Sequence, residues 1–203
     1  MYKEIIFDVE TQYLFHEVPD RKPENLKISV VSVYAREIDD DYQELSGNMV
    51  SYWEKDLDAM WQDFQKADRV IGYNTISFDV PVLQPYAYFD LSSLPHFDIL
   101  DEIRKVIGRR IKLDNAVQNT LGEAKTDVGT NAVAYWRAGD PESLAKLQHY
   151  CEADVRLTTQ LYDFGLQNGY INYKDDWNSV QKIPIDFRYS QAEVPQEKQV
   201  GLF

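Results

Sequence analysis

Two apolar, β-rich runs close to the amino terminus, residues 2–9 (YKEIIFDV) and 26–35 (LKISVVSVYA), constrain the fold of this chain more than any other feature. Both are dense in Ile, Val, Phe and Tyr, and a Pro-containing turn at 20–25 separates them, so they read as two buried neighbouring strands. A short third strand is expected at 42–45, continuing the meander after the acidic turn 38–41. The period then changes. Trp53, Leu57, Met60, Trp61 and Phe64 fall at helical spacing, and the apolar run 69–73 (RVIGY) follows as a compact strand. A right-handed crossover lays that strand parallel to the first, which makes the class α/β with a mixed sheet, antiparallel first and then parallel, flanked by helices.

Beyond Asp79 the chain reads as helix, with Pro81 in a first turn and Val82, Leu83 and Tyr86 on its apolar side. From Asp98 onward the pattern is almost wholly helical. The longest helix is expected to start at Asp140-Pro141-Glu142, a capping aspartate followed by proline, and to run to about Phe164, ending at Gly165 or Gly169. Residues 170–190 hold two alternating stretches around a polar turn and read as a hairpin extension; residues 191–203 read as a polar, loose tail. The domain proper is placed at 1–168.

Charge narrows the partners. The 203 residues carry 21 Lys and Arg against 34 Asp and Glu, a net charge of −13, yet 44% are hydrophobic, which excludes a disordered polyanion. No apolar run approaches the ~18 residues that a membrane span needs, and the first residues lack the basic and long apolar stretches of a signal peptide. A lone cysteine, Cys151, permits no internal disulfide and no cysteine-based zinc site, so a cytoplasmic protein is expected. An acidic chain repels nucleic acid at long range and handles it only through bound cations or a local basic patch. The densest basic run, Arg104, Lys105, Arg109, Arg110 and Lys112, reads equally as a track for phosphates or as a solvated helix end. Tyr13, Phe15 and Tyr73 read either as stacking groups or as core.

Chemistry concentrates at three places. The first strand ends in Phe7-Asp8-Val9-Glu10-Thr11, and alternation puts Asp8 and Glu10 on one face, where two carboxylates repel unless a cation lies between them. The fourth strand runs into Gly72-Tyr73-Asn74-Thr75-Ile76-Ser77-Phe78-Asp79, which brings Asp79 to the same carboxyl-end rim. The long helix carries His149-Tyr150-Cys151-Glu152-Ala153-Asp154, and an aspartate among apolar neighbours in mid-helix needs an exposed face or a function.

This ordered set, Phe7-Asp8-x-Glu10-Thr11, Gly72-x-Asn74-x-x-x-Phe78-Asp79 and Tyr150-x-x-x-Asp154, resembles the three exonuclease motifs of the DEDD superfamily, which has the ribonuclease H-like fold. The likeness covers about residues 1–168 and is closest to the 3′–5′ exonuclease domain of B-family DNA polymerases and to YprB-like ribonuclease H-like proteins. Residues 95–100 (PHFDIL) and 121–125 (LGEAK) also look like that group. The resemblance implies a two-metal hydrolase in which Asp8, Glu10, Asp79 and Asp154 hold two Mg²⁺ or Mn²⁺ ions, and in which Thr11, Asn74, Phe78 and Lys125 meet a nucleic acid with a free 3′ end. Hard oxygen ligands suit those ions, and a metal pair stabilises both the attacking and the leaving oxygen of an in-line displacement.

Two subclasses of the superfamily differ in the residue ahead of the last aspartate, and this chain offers both His149 and Tyr150. At ~100° per residue, position i−4 lies ~40° from Asp154 and i−5 lies ~140° away. An unbroken helix therefore favours Tyr150, whose phenol orients the attacking water. No motif here reads a 2′-OH, so an exoribonuclease is the rival within the enzyme class, and a binding module that keeps its carboxylates without turnover is the rival outside it. The last residues, Gln199-Val200-Gly201-Leu202-Phe203, resemble the bacterial sliding-clamp-binding pentapeptide, which implies a clamp contact through Gln199, Leu202 and Phe203 and a DNA substrate.

Overall fold

Strand β1 (Tyr2–Thr11) runs through the middle of the protein because two partners cover its edges. Strand β2 (Ile28–Ile38) pairs with it antiparallel, setting Asp8 opposite Ser32. The computed structural model describes residues 1–123 and 130–189. In it β3 (Glu44–Trp53) lies outside β2, while β4 (Arg69–Gly72) and β5 (His96–Asp98) extend the sheet in parallel beyond β1, giving the order β3-β2-β1-β4-β5. The mixed sheet expected from the two amino-terminal runs and the crossover is present.

Three elements differ from the sequence reading, each for a physical reason. The third strand spans Glu44–Trp53 rather than 42–45; its first half is exposed on the sheet's outer edge, so pairing with β2 rather than apolar patterning builds it. The five apolar residues at helical spacing do not make one helix. Trp53 ends β3, residues 54–59 form a 3₁₀ turn, and helix α1 (Trp61–Lys66) is separate, although Leu57, Met60, Trp61 and Phe64 are all buried against the sheet. The three-residue β5 lies where helix alone was expected, too short to show a period.

Alternation along β1 splits the core. Ile5, Phe7 and Val9 face α1 and helix α2 (Asp79–Leu83), whose Val80, Val82 and Leu83 are buried with them. Ile6 faces the other side, with α3 (Ile99–Ile107), α4 (Leu113–Leu121) and α6 (Pro141–Asn168); α5 (Thr130–Ala138) packs on α6. Asp140 caps α6 as expected, accepting from the amides of Glu142 and Ser143. The helix passes through Gly165, where the Phe187 ring occupies the space a Cβ would need, and ends at Gly169 with φ 71°. The hairpin β6 (Tyr170–Lys174) and β7 (Val180–Pro184) also forms, and Ile171, Tyr173, Ile183, Ile185 and Phe187 enter the same core as α6.

Candidate active site

Even-numbered residues of β1 look toward α6, so the run Glu4, Ile6, Asp8, Glu10 is apolar only where it crosses the centre of the core. At its carboxyl end Asp8, Glu10 and Asp154 bring carboxylate oxygens within 4.8 Å of one another. Asp8 and Glu10 are half-buried and Asp154 is buried. Cys151 lies one turn before Asp154 and fills the seam between helix and strand, its Sγ 3.4 Å from the Asp8 carbonyl oxygen and 3.7 Å from Asp8 Oδ2. Burial and the charges of Asp8 and Glu10 push its thiol pKa up, so Cys151 is a neutral spacer that admits close packing.

Asp79 reaches the same rim from the far side of β1 but stands outside this trio. Its Oδ1 accepts the Val9 amide at 3.0 Å. Burial, then the charges of Asp98 and Asp154, push its pKa up to about 8 against the pull of backbone N–H groups. Tyr150 is buried beside Asp154, to which its phenol is hydrogen-bonded; burial first, then Asp154, Glu10 and Asp8, raise its pKa strongly. His149, the neighbouring residue, is exposed. Three hard oxygen donors gathered on one face, two of them solvent-accessible, fit a divalent cation, which would relieve their mutual repulsion.

The remaining sequence-predicted residues divide. Thr11 is buried at a register shift of β1, with its Oγ1 donating to the Tyr13 carbonyl at 3.0 Å. Asn74 sits in the β4–α2 connection at φ 73°, and its Oδ1 accepts from Arg110 at 2.6 Å. The Phe78 ring lies 5.8 Å from that of the exposed Phe15. Tyr73 proves to be a strut, its hydroxyl donating to the Ile111 carbonyl at 2.7 Å. Lys125 and the tail residues Gln199, Leu202 and Phe203 lie outside the described residues.

Sequence reasoning missed Asp98. Its carboxylate caps α3 through the amides of Leu100 and Asp101 and also accepts the amides of Asn74 and Ile76, at 2.7 and 3.0 Å. One buried side chain thus fixes the loop that delivers Asp79. Its signal was an aspartate directly before an apolar helical run, the mark of an N-cap.

With this geometry in view, comparison places the chain. Residues 5–164 match a family model described as RNase_H superfamily. No curated protein matches it in sequence. Among solved structures, the family B DNA polymerase from the hyperthermophilic archaeon Pyrobaculum calidifontis is similar over 82% of this chain, at 18% identity and a TM-score of 0.58. This chain spans 25% of that polymerase, and the likeness is one of fold.

Proposed function

The chain belongs to the RNase H superfamily, and on that footing we propose that it is a metal-dependent 3′–5′ exonuclease of the tyrosine subclass, acting on single-stranded DNA ends. The observation that carries the reading is the convergence of Asp8, Glu10 and Asp154 oxygens within 4.8 Å, with the Tyr150 phenol hydrogen-bonded to Asp154.

In this reading Asp8, Glu10 and Asp154, with Asp79 behind them, would hold two Mg²⁺ or Mn²⁺ ions. When bound, the ions supply Lewis acidity to the attacking and leaving oxygens of the displaced phosphodiester. Tyr150 is far too weak an acid to carry charge at neutral pH. It donates its proton to Asp154 in a hydrogen bond, which leaves Oη lone pairs to accept an O–H of the attacking water and aim it. Thr11, Asn74, Phe78 and Lys125 then serve the terminal nucleotides.

DNA is favoured over RNA by two supports. The fold neighbour is a DNA polymerase, and the terminal Gln199-Val200-Gly201-Leu202-Phe203 resembles a clamp-binding peptide. Among the described residues no helix is long and apolar enough to cross a membrane. The single, buried Cys151 accords with a reducing, cytoplasmic setting.

The test is digestion of 3′- and 5′-labelled single-stranded DNA, duplex DNA and RNA, with and without EDTA. Mononucleotide release from 3′ ends of single-stranded DNA, abolished by EDTA, is expected. Faster trimming of RNA would move the protein to the exoribonucleases, and no metal-dependent release from any substrate would leave a binding module. Clamp docking is tested separately by comparing the full chain with one lacking residues 199–203 for binding to a bacterial sliding clamp; equal affinity overturns it.

A further inference from the structure

The basic run 104–112 separates into parts once its partners are seen. On the last turns of α3, Lys105 Nζ pairs with Asp101 and Glu102 at 3.2 and 2.6 Å, and Arg104 lies 4.0 Å from Asp101. These are helix-surface pairs that neutralise charge locally. Past Gly108, which ends α3 at φ 71°, the chain turns back toward the rim. There the Tyr73 hydroxyl holds the Ile111 carbonyl, and the exposed Arg110 donates to Asn74 Oδ1 at 2.6 Å. Asn74 is itself held by Asp98. Arg110 is therefore a guanidinium fixed beside the loop that carries Asp79.

Arg109, the preceding residue, engages the hairpin of β6 and β7 instead. It pairs with Asp176 at 2.9 Å, and its guanidinium lies over the Tyr173 ring, 5.2 Å from the centroid. Asp176 belongs to the β6–β7 turn, which Asp175 locks: its Oδ1 accepts the amides of Trp177 and Ser179, and its Oδ2 accepts Gln181 Nε2, all at 2.9 Å. On this locked turn Trp177 is 84% exposed, the most exposed large apolar side chain among the described residues. A rigid backbone that presents an unburied indole contributes nothing to a core. It suits stacking, because every nucleobase offers a π-face and indole binding to it is sequence-tolerant.

We propose that the substrate strand leaves the carboxylate cluster over Arg110, which takes a phosphate, and stacks a base on Trp177, so that loop 108–112 and turn 175–179 form one track for single-stranded nucleic acid. Asn74, Arg110, Arg109 and Asp176 link the two ends of the track by contacts and by sequence. This rests on the exonuclease reading and adds to it the path of the strand. An acidic chain that must hold a polyanion needs such a local cation, and the planar fork of arginine suits phosphate.

The experiment titrates the full chain with a labelled oligothymidylate of about twelve nucleotides, a length within the usual span of such sites. Ca²⁺ replaces Mg²⁺ to hold the carboxylates without turnover. Intrinsic fluorescence and anisotropy are read at several salt concentrations for the wild type, Arg110→Gln, Arg110→Lys and Trp177→Leu. The wild-type tryptophan emission is expected to be quenched, and Trp177→Leu to lose that quenching and ~10-fold in affinity, within the range for one stacked base. Arg110→Gln is expected to lose ~10-fold and to flatten the salt dependence by about one phosphate contact, with Arg110→Lys restoring the slope.

Equal affinities and salt slopes in all four proteins would overturn the track, as would a wild type that binds no oligonucleotide. If metal-dependent 3′ release by the wild type persists in that case, the exonuclease reading stands without the track. If instead the variants bind more weakly as expected but the wild type shows no metal-dependent release, the track stands and the exonuclease reading fails.

Discussion

Glu4 and Asp8 lie on the same face of β1, both looking toward α6, and their surroundings are opposite in kind. At the Glu4 end opposite charge, hydroxyls and aromatic faces surround the charged groups. Glu4 Oε2 accepts Arg36 Nε at 2.8 Å, and Oε1 accepts the hydroxyls of Tyr162 and Tyr189 at 3.0 and 2.9 Å. Arg36 also grips Asp163 with two nitrogens, at 2.6 and 3.0 Å. The buried Arg69 donates to Tyr162 Oη and stacks on Tyr189, 3.8 Å from the ring centroid. At the Asp8 end like charges are gathered instead, three carboxylates within 4.8 Å. Buried charge persists at the first end because opposite charge and hydrogen bonds are built in, whereas at the second end crowding of one sign prepares a seat for an exchangeable cation. The first end holds the fold together, and the second is where the proposed chemistry would take place.

Removing a charge should therefore have opposite consequences at the two ends. Asp154→Ala, or Asp8→Ala, is expected to lower hydrolysis by ~10⁴-fold or more at saturating metal, from the several kcal/mol that metal-held charge stabilisation supplies. In EDTA its thermal midpoint should equal or exceed the wild type's, because repulsion is relieved. Metal-dependent activity surviving in both variants would remove these residues from the site.

Next in size, Glu4→Ala leaves the buried Arg36 Nε and the hydroxyls of Tyr162 and Tyr189 without their shared acceptor and should cost ~3–5 kcal/mol in urea denaturation, with activity per folded molecule unchanged. A loss below ~1 kcal/mol would erase the contrast between the ends.

Asp79 sharpens it through pH. Its pKa is raised from the ordinary carboxylate value to about 8, so its contribution to stability is complete below pH ~4 and is lost as pH rises through 8. In EDTA, the wild type minus Asp79→Asn difference in unfolding free energy should move against the wild type by a few kcal/mol between pH 4 and 9. Asn keeps the acceptor for the Val9 amide, so a flat difference would show that the carboxyl titrates normally.

The smallest effects separate the two residues ahead of Asp154. Tyr150→Phe should slow turnover ~10²-fold with KM little changed, and His149→Ala should stay within ~2-fold, measured as kcat and KM at saturating metal. The reverse ranking would assign the protein to the histidine subclass.

Legibility in the sequence followed the strength of local signals. Helix α6 was readable because Asp140-Pro141 and Gly169 carry cap chemistry, and β1 because the apolar Ile5-Ile6-Phe7 leads straight into Asp8. The meeting of Asp8, Glu10 and Asp154 was readable for the same reason, since strand alternation and helix spacing fix which side chains face one another. The extent of strand β3 was not, because residues 44–48 are exposed, hold Leu45 as their one large apolar side chain, and owe their conformation to β2. The fourfold grip of Asp98 was hidden since two of its partners, Asn74 and Ile76, lie more than twenty residues away. The Arg69–Tyr189 contact was invisible for the same reason, and an arginine opening a strand looks like any solvated end.

The bond between Tyr189 and Glu4 joins positions 185 residues apart, and this bears on the order in which the protein takes shape during synthesis. At ~5–20 residues per second a ribosome needs ~10–40 s to pass from one partner to the other. Until residues 187–189 emerge, Glu4 and Arg69 lack the aromatic and carbonyl cover that those residues bring. Closure of so long a loop makes residues 187–189 a latch. Vectorial synthesis can prepare the sheet, but the end of it that holds the fold together is sealed only by residues made after the whole of α6, Asp154 included.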